Sequence, residues 1–155
     1  METSLLETHF TETGRREAME TPAVPATSVY QCTLCGTTVE MLDDWAMDLL
    51  CCGRQMDPIP THSSGRGRHQ HCPVIEPHAR GFRVYAGRTP HPTREDHHIL
   101  WIDLLADGKS YREFFPPGRS PEAFFPVQAE KVTARAYCRL HGLWSSSYSR
   151  AGEAQ

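Results

Sequence analysis

Residues 134–147 read ARAYCRLHGLWSSS. Val132, Ala134, Ala136 and Cys138 alternate with Thr133, Arg135, Tyr137 and Arg139. That is the period of a β-strand with one apolar face, and Cys138 stands on it among small side chains. Three residues later comes His141, followed by Gly142. On a continued strand, positions three apart point to opposite faces, so only a turn can return the histidine to the thiol. Two readings follow. Cys138 is a packed free cysteine, a residue type that is commonly buried, or Cys138 and His141 hold one metal.

The segments upstream share the strand character. From His69 onward, "CPVIE", "GFRVYAG", "HHILWIDLLADG", "SYREFF", "AFFPVQAE" and "KVTARAYC" are short β-prone runs separated by Gly, Pro and Asp. Their spacing is that of a sandwich. In "ILWIDLL" both faces are largely apolar, as in a strand covered on both sides. The spacing and composition predict a mainly β chain with these divisions: a flexible extension over 1–29, a compact cysteine-punctuated unit over 30–57, a linker over 58–68 ("PIPTHSSGRGR"), a β-sandwich over 69–146, and a frayed tail over 147–155. A short helix over Ser4–His9 would be marginal alone.

Bulk properties narrow the function. The chain has 155 residues, 39% hydrophobic and 23% charged, with a net charge of −3. This gives no general electrostatic case for binding nucleic acid or a membrane surface. No apolar run approaches the ~20 residues needed to span a bilayer. The first 28 residues carry Glu2, Glu7, Glu12, Glu17 and Glu20 and lack the apolar core of a secretory signal, and no hydrophobic stretch follows Arg15–Arg16. The chain therefore reads as cytoplasmic, where clustered cysteines are expected as ligands in preference to disulfides.

Four of the six cysteines lie in "YQCTLCGTTVEMLDDWAMDLLCCG", residues 30–53. Cys32 and Cys35 form a C-x-x-C knuckle with Gly36 next, and Cys51 and Cys52 supply two more thiols. Four thiolates in a tetrahedron select zinc or iron. So small a unit cannot bury enough surface to fold alone and needs such a staple. Adjacent cysteines must splay apart to reach one ion, which predicts a distorted site.

Nine histidines is a high count, and their positions matter more than the number. His71 lies in "HQHCPVIE", and His91 and His97 in "PHPTREDHHILWI". With His141 and Cys138 they make four imidazoles and one thiolate. Five protein ligands on an iron that prefers six leave one position open, a catalytic layout.

At these residues the chain resembles desulfoferrodoxin, the two-iron class of superoxide reductase. The resemblance runs from Tyr30 to about Trp144 and rests on "YQCTLCG", "LCCG", "HCPVIE", "HPTREDHHILWIDLLADG", "PPGRSPEAFF" and "ARAYCRLHGLW" taken together. It implies a small desulforedoxin- or rubredoxin-like metal domain followed by an immunoglobulin-like seven-stranded β-sandwich. It implies an Fe(Cys)4 centre at Cys32, Cys35, Cys51 and Cys52, with zinc as the alternative metal. It further implies an iron with His71, His91, His97 and His141 as equatorial ligands and Cys138 as axial thiolate, with His98 a bystander. The implied reaction is one-electron reduction of superoxide to hydrogen peroxide, with rubredoxin or a similar reductant as donor, in a homodimer.

The chain departs from the family where Glu-Lys commonly precedes the first ligand histidine. Here those positions are His69 and Gln70. Gln70 is neutral and does not titrate, whereas His69 can donate protons near neutral pH or act as a sixth ligand. Arg66 and Arg68 can attract an anion but not deliver protons. Cys72 and Thr93 stand where an aliphatic residue and a methionine are usual. A slower reductase, an iron-binding electron carrier without efficient turnover, and a zinc-stapled interaction module all remain open at this point.

Overall fold

Small side chains on one face of residues 132–138 let another sheet approach closely, and the structure is built around that approach. It is a computed structural model that describes residues 28–42 and 48–152. The extension before residue 28, with the helix considered over 4–9, lies outside the described residues.

Six short strands come first: β1 (Val29–Gln31), β2 (Thr38–Glu40), β3 (Leu50–Cys51), β4 (Arg54–Gln55), β5 (Asp57–Pro58) and β6 (Thr61–His62). One helical turn, α1 (Arg68–His71), leads into β7 (Pro73–His78), β8 (Gly81–Ala86), β9 (Ile99–Ala106), β10 (Lys109–Phe114), β11 (Glu122–Phe125), β12 (Lys131–Cys138) and β13 (Gly142–Ser149). Strands β7 to β13 form the seven-stranded sandwich. One sheet runs β10-β9-β12-β13 and the other β11-β8-β7, and β6 extends the first as a parallel partner of β13. The small N-terminal unit has a three-stranded sheet, β2-β1-β5, and the hairpin β3-β4.

Between the sheets, Phe82 and Val84 of β8 meet Ile102 and Leu104 of β9 and Ala134, Ala136 and Cys138 of β12. All seven are fully buried. The opposite face of β9 and β12 is covered too. There Trp101 and Tyr137 pack with Leu143 of β13, Val29 of β1 and Ile59, so the N-terminal unit sits on the outer face of the sandwich.

Three features depart from the sequence reading. Two-residue β6 lies inside the expected linker 58–68. Strand β13 runs to Ser149, past the expected tail boundary at 147, because β12 offers it a complete antiparallel partner from Lys131↔Ser149 to Cys138↔Gly142. The serines there are polar enough to read as a tail, yet a ladder needs only their backbone. Finally, β9 carries a bulge. Tyr137 pairs with Trp101, but Cys138 pairs with Ile99, which leaves Leu100 as an extra residue. Bulges are common beside functional sites, where they re-aim a side chain. No helix among the described residues is long and apolar enough to cross a membrane.

Candidate metal centres

Each imidazole is aimed by a backbone group. His71 ends α1, and its Nδ1 lies 2.8 Å from the carbonyl oxygen of Gly67. His91 lies in the loop between β8 and β9, with Nδ1 2.7 Å from the carbonyl oxygen of Pro92. A carbonyl only accepts, so both rings carry their proton on Nδ1 and turn the Nε2 lone pair inward. Both Nε2 atoms are buried and have no hydrogen-bond partner. Such atoms are costly to bury unless something binds them.

His97 precedes β9, and its Nε2 lies 3.1 Å from His141 Nδ1. Cys138 Sγ lies 3.6 Å from the same His141 nitrogen. The turn after β12 thus returns His141 to the thiol. One ligand atom from each of His71, His91, His97, Cys138 and His141 lies within 4.8 Å of all the others. Two elements, α1 and β12, and two loops, β8–β9 and β12–β13, supply one cluster. His71, His91 and Cys138 are buried, His97 is half-buried and His141 is exposed, so the cluster opens to solvent on one side.

Electrostatics favour the metal-binding form of the rings. Burial holds His71, His91 and His97 below the usual imidazole range, His91 at about 4, and their mutual repulsion adds to this. All three are neutral near pH 7, the state that ligates a cation. Burial pushes the Cys138 thiol up, while the backbone N–H groups of Leu140 and His141 favour the thiolate. A cation in the cluster would displace the thiol proton.

The loop carrying His71 is held by close backbone packing. Gly87 has φ +71°, and a Cβ there would collide with the backbone of His69 and Gln70. The His69 carbonyl accepts from the Thr89 N–H (2.9 Å) and hydroxyl (3.0 Å). The side chains of His69 and Gln70 are exposed and do not join the five. His98 also stays outside. It is buried, with Nδ1 2.9 Å from the Arg94 carbonyl oxygen. Cys72 turns its sulfur to the Ser145 carbonyl at 3.3 Å. Thr93 takes part through its backbone, its carbonyl accepting from Gly118 at 2.7 Å.

Sequence reasoning passed over Trp144. Its indole Nε1 donates to the His141 carbonyl at 3.1 Å, and its ring stacks on His71 at 5.2 Å between centroids, 22° from parallel. One side chain therefore steadies two of the four imidazoles. Its place three residues after His141 was the available signal. The Gly67 and Pro92 carbonyls had no signal in the sequence.

The second cluster joins Cys32, Cys35, Cys51 and Cys52. Cys32 and Cys35 lie in the turn of the β1–β2 hairpin, closed by Cys32 N–H to Thr37 carbonyl and Gly36 N–H to Cys32 carbonyl bonds, each 2.9 Å. The adjacent pair splays by a backbone device. Cys52 has φ 52° and Gly53 φ 72°, left-handed at both central residues of the two-residue β3–β4 turn. This is the sign pattern of a type I′ hairpin turn, which suits Gly at the second position and is strained for cysteine at the first. Cys51 and Cys52 sulfurs then lie 3.9 Å apart, and Cys35 and Cys51 sulfurs 3.5 Å. The Thr37 hydroxyl and backbone N–H, and after them the thiols of Cys32 and Cys51, draw Cys35 down to about 6. Bonds to Cys35 and Cys32 push Cys51 up to about 12. Such proton sharing is what a bound cation relieves.

Comparison with known proteins bears on both clusters. The family model described as "Desulfoferrodoxin, N-terminal domain" matches residues 26–59, and that described as "Desulfoferrodoxin" matches residues 63–147. The chain is 46% identical over 118 residues to a desulfoferrodoxin of Nitratidesulfovibrio vulgaris, covering 76% of this chain and 94% of the relative. It is 41% identical over 117 residues to a desulfoferrodoxin homolog of Methanothermobacter thermautotrophicus, covering 75% and 94%. The crystal structure of the superoxide reductase from Treponema pallidum shares the fold, with a TM-score of 0.62, 23% identity, and coverage of 77% of this chain and 96% of that one.

Proposed function

The chain belongs to the desulfoferrodoxin family, and from that premise we propose that it is a superoxide reductase with two metal centres. In this reading His71, His91, His97, His141 and Cys138 hold the catalytic iron. Cys32, Cys35, Cys51 and Cys52 hold a second iron, or zinc in its place. The observation that carries the proposal is the pair of buried Nε2 atoms of His71 and His91, which lack a hydrogen-bond partner and share one cluster with Cys138, His97 and His141.

Iron held by these five residues would supply the one electron that, with two protons, converts superoxide to hydrogen peroxide without release of oxygen. The chain's own residues prepare that exchange. The Gly67 and Pro92 carbonyls keep two ring protons on Nδ1, and the Leu140 and His141 N–H groups favour the thiolate of Cys138. Exposed His141 and half-buried His97 form the edge that a small anion reaches from solvent. Arg94 and Arg139 flank His98 at this end of the sandwich, where Glu95 and Asp96 offset their charge and Asp96 pairs with Arg94 at 3.2 Å. His69 and Gln70 occupy the exposed positions of the usual Glu-Lys pair, with His69 the group there able to pass a proton. We place the protein in the cytoplasm, as a homodimer re-reduced by rubredoxin or a similar one-electron donor.

A second reading, an iron-binding electron carrier without efficient turnover, draws on neutral Gln70 where a cation is usual. A superoxide pulse on anaerobically pre-reduced, iron-loaded protein separates the two. Fast iron oxidation that yields peroxide and no oxygen supports the reductase. Slow or absent oxidation at a correctly filled site supports the carrier.

A further inference from the structure

Glu40, at the end of β2, reaches out of the N-terminal unit into the sandwich. Its carboxylate accepts from Arg112 Nη1 at 2.6 Å and Nη2 at 2.9 Å, and from Arg135 Nη2 at 2.9 Å. Both arginines also bind Asp103, Arg112 Nη2 at 2.6 Å, Arg135 Nη2 at 2.7 Å and Arg135 Nε at 3.1 Å. Trp101 lies against both guanidinium groups, 4.0 Å from Arg112 and 5.7 Å from Arg135. The Asp103 side chain is 0% exposed and that of Arg135 4%. One of the carboxylates that these two arginines share therefore comes from the other unit. Without Glu40, both guanidinium groups lose a carboxylate partner, Arg135 at a position where its side chain is only 4% exposed. Removing one partner of a buried pair is strongly destabilising for that reason.

What holds Glu40 there is the hairpin that carries Cys32 and Cys35 in its turn. Strands β1 and β2 have three residues each and pair as Val29↔Glu40, Tyr30↔Val39 and Gln31↔Thr38. A hairpin that short is not stable by itself in water. A metal on the four cysteines ties its turn to the β3–β4 hairpin. The Thr38 hydroxyl lies 3.4 Å from the hydroxyl of Tyr137, next to Cys138, and Arg135 lies on the same strand. The cysteine cluster therefore connects to the strand that bears the thiolate of the other centre.

We propose that the four-cysteine centre has a second function, as a clamp: metal bound there fixes the β1–β2 hairpin, and Glu40 on that hairpin neutralises and secures the sheet that carries Cys138. Because a ligand that binds only the docked state stabilises it, metal at the cysteines strengthens the sandwich, and the sandwich strengthens metal binding in return. The clamp rests on the reading of the four cysteines as one metal site. It does not depend on reductase activity.

The test uses the full chain in four forms: wild type, Glu40→Gln, Cys35→Ser/Cys52→Ser, and the combined variant. Cys35 and Cys52 are exposed, so serine there adds little strain of its own. Elemental analysis first checks that the double serine variant loses one metal per chain. An unchanged metal content would reject the four-cysteine site and the clamp with it. Thermal unfolding of the sandwich is then followed by near-ultraviolet circular dichroism. Glu40→Gln and the double serine variant should each lower the midpoint by on the order of 10 °C, and the combined variant should fall little further, because both changes release the same contact. An unchanged midpoint in the double serine variant, or fully additive losses, overturns the proposal. If the combined variant does not fold, amide hydrogen exchange of residues 99–106 and 131–138 in the other three forms decides. Faster exchange in both single-purpose variants supports the clamp, and wild-type exchange in the double serine variant overturns it.

Discussion

Replacing Trp144 separates two ways in which one side chain steadies the five-residue centre. Trp144→Phe keeps a ring against His71 but loses the 3.1 Å bond from Nε1 to the His141 carbonyl. A hydrogen bond of this kind contributes about 1 kcal/mol net, which is roughly a 5-fold change in an equilibrium constant. Trp144→Leu removes the bond and the stacked ring together, in a position only 4% exposed. Loss of groups that orient metal ligands costs about 10- to 100-fold in metal affinity, and the leucine variant should lie near the upper end. Competition with a chromophoric chelator for ferrous iron gives both affinities, and the chelator can be chosen so that the four-cysteine metal is not extracted. The expected order is wild type, then phenylalanine, then leucine. Equal affinity for wild type and Trp144→Leu would show that the His71 and His141 positions are set without the indole, and the reasoning would fail. An unfolding scan of each variant guards against global loss of structure.

Other expectations concern the loop, the neighbouring histidine and acid stability. Gly87→Ala forces a left-handed residue, about 1–2 kcal/mol unfavourable, and displaces the His69–Gln70 backbone. Chelator extraction of the centre's iron should become faster and the unfolding midpoint should drop. His98→Gln keeps a donor for the Arg94 carbonyl, so metal content should stay at the wild-type value by elemental analysis. A loss of one metal per chain would place His98 in the centre. Arg83 holds the Glu122 carboxyl below its ordinary value of 4.5. The pair therefore stabilises the fold above that pH, and its contribution is lost as pH falls through the lowered folded value. With side chains 42% and 44% exposed, the effect should be under about 1 kcal/mol. Acid titration of stability in wild type and Glu122→Gln measures it.

Much of the fold could be read from periodicity because it follows from side-chain polarity. The alternation over 132–138 marks β12, and the two apolar faces of "ILWIDLL" are both covered, one by β8 and the other by Val29 and Ile59. Even so, Asp103 in that run gave no hint that it lies fully buried between two arginines. Its partners come from residues 9 and 32 positions away, and pairing over such distances leaves no periodic trace. The ligand-type residues were visible as a resemblance across separate motifs. Their aim was not, because Gly67 and Pro92 act through carbonyl oxygens that every residue possesses. The serines of β13 misled for a similar reason, since strand pairing there depends on backbone atoms and polar side chains disguise it.

The extra residue at Leu100 has a consequence for the neighbouring histidines. In a regular ladder, Leu100 would face Cys138, and the alternation upstream would bring His98, not His97, onto the inward face. The bulge shifts the phase by one, so Ile99 and Ile102 both point into the core while Leu100 and Trp101 both point out. Which histidine joins the five-residue cluster is thus encoded in a count as well as in a residue type. Deleting Leu100 would leave Ile99 opposite Cys138 and keep His97 in place. A strand that slipped to pair without the bulge would exchange the two histidines, though no histidine had been mutated.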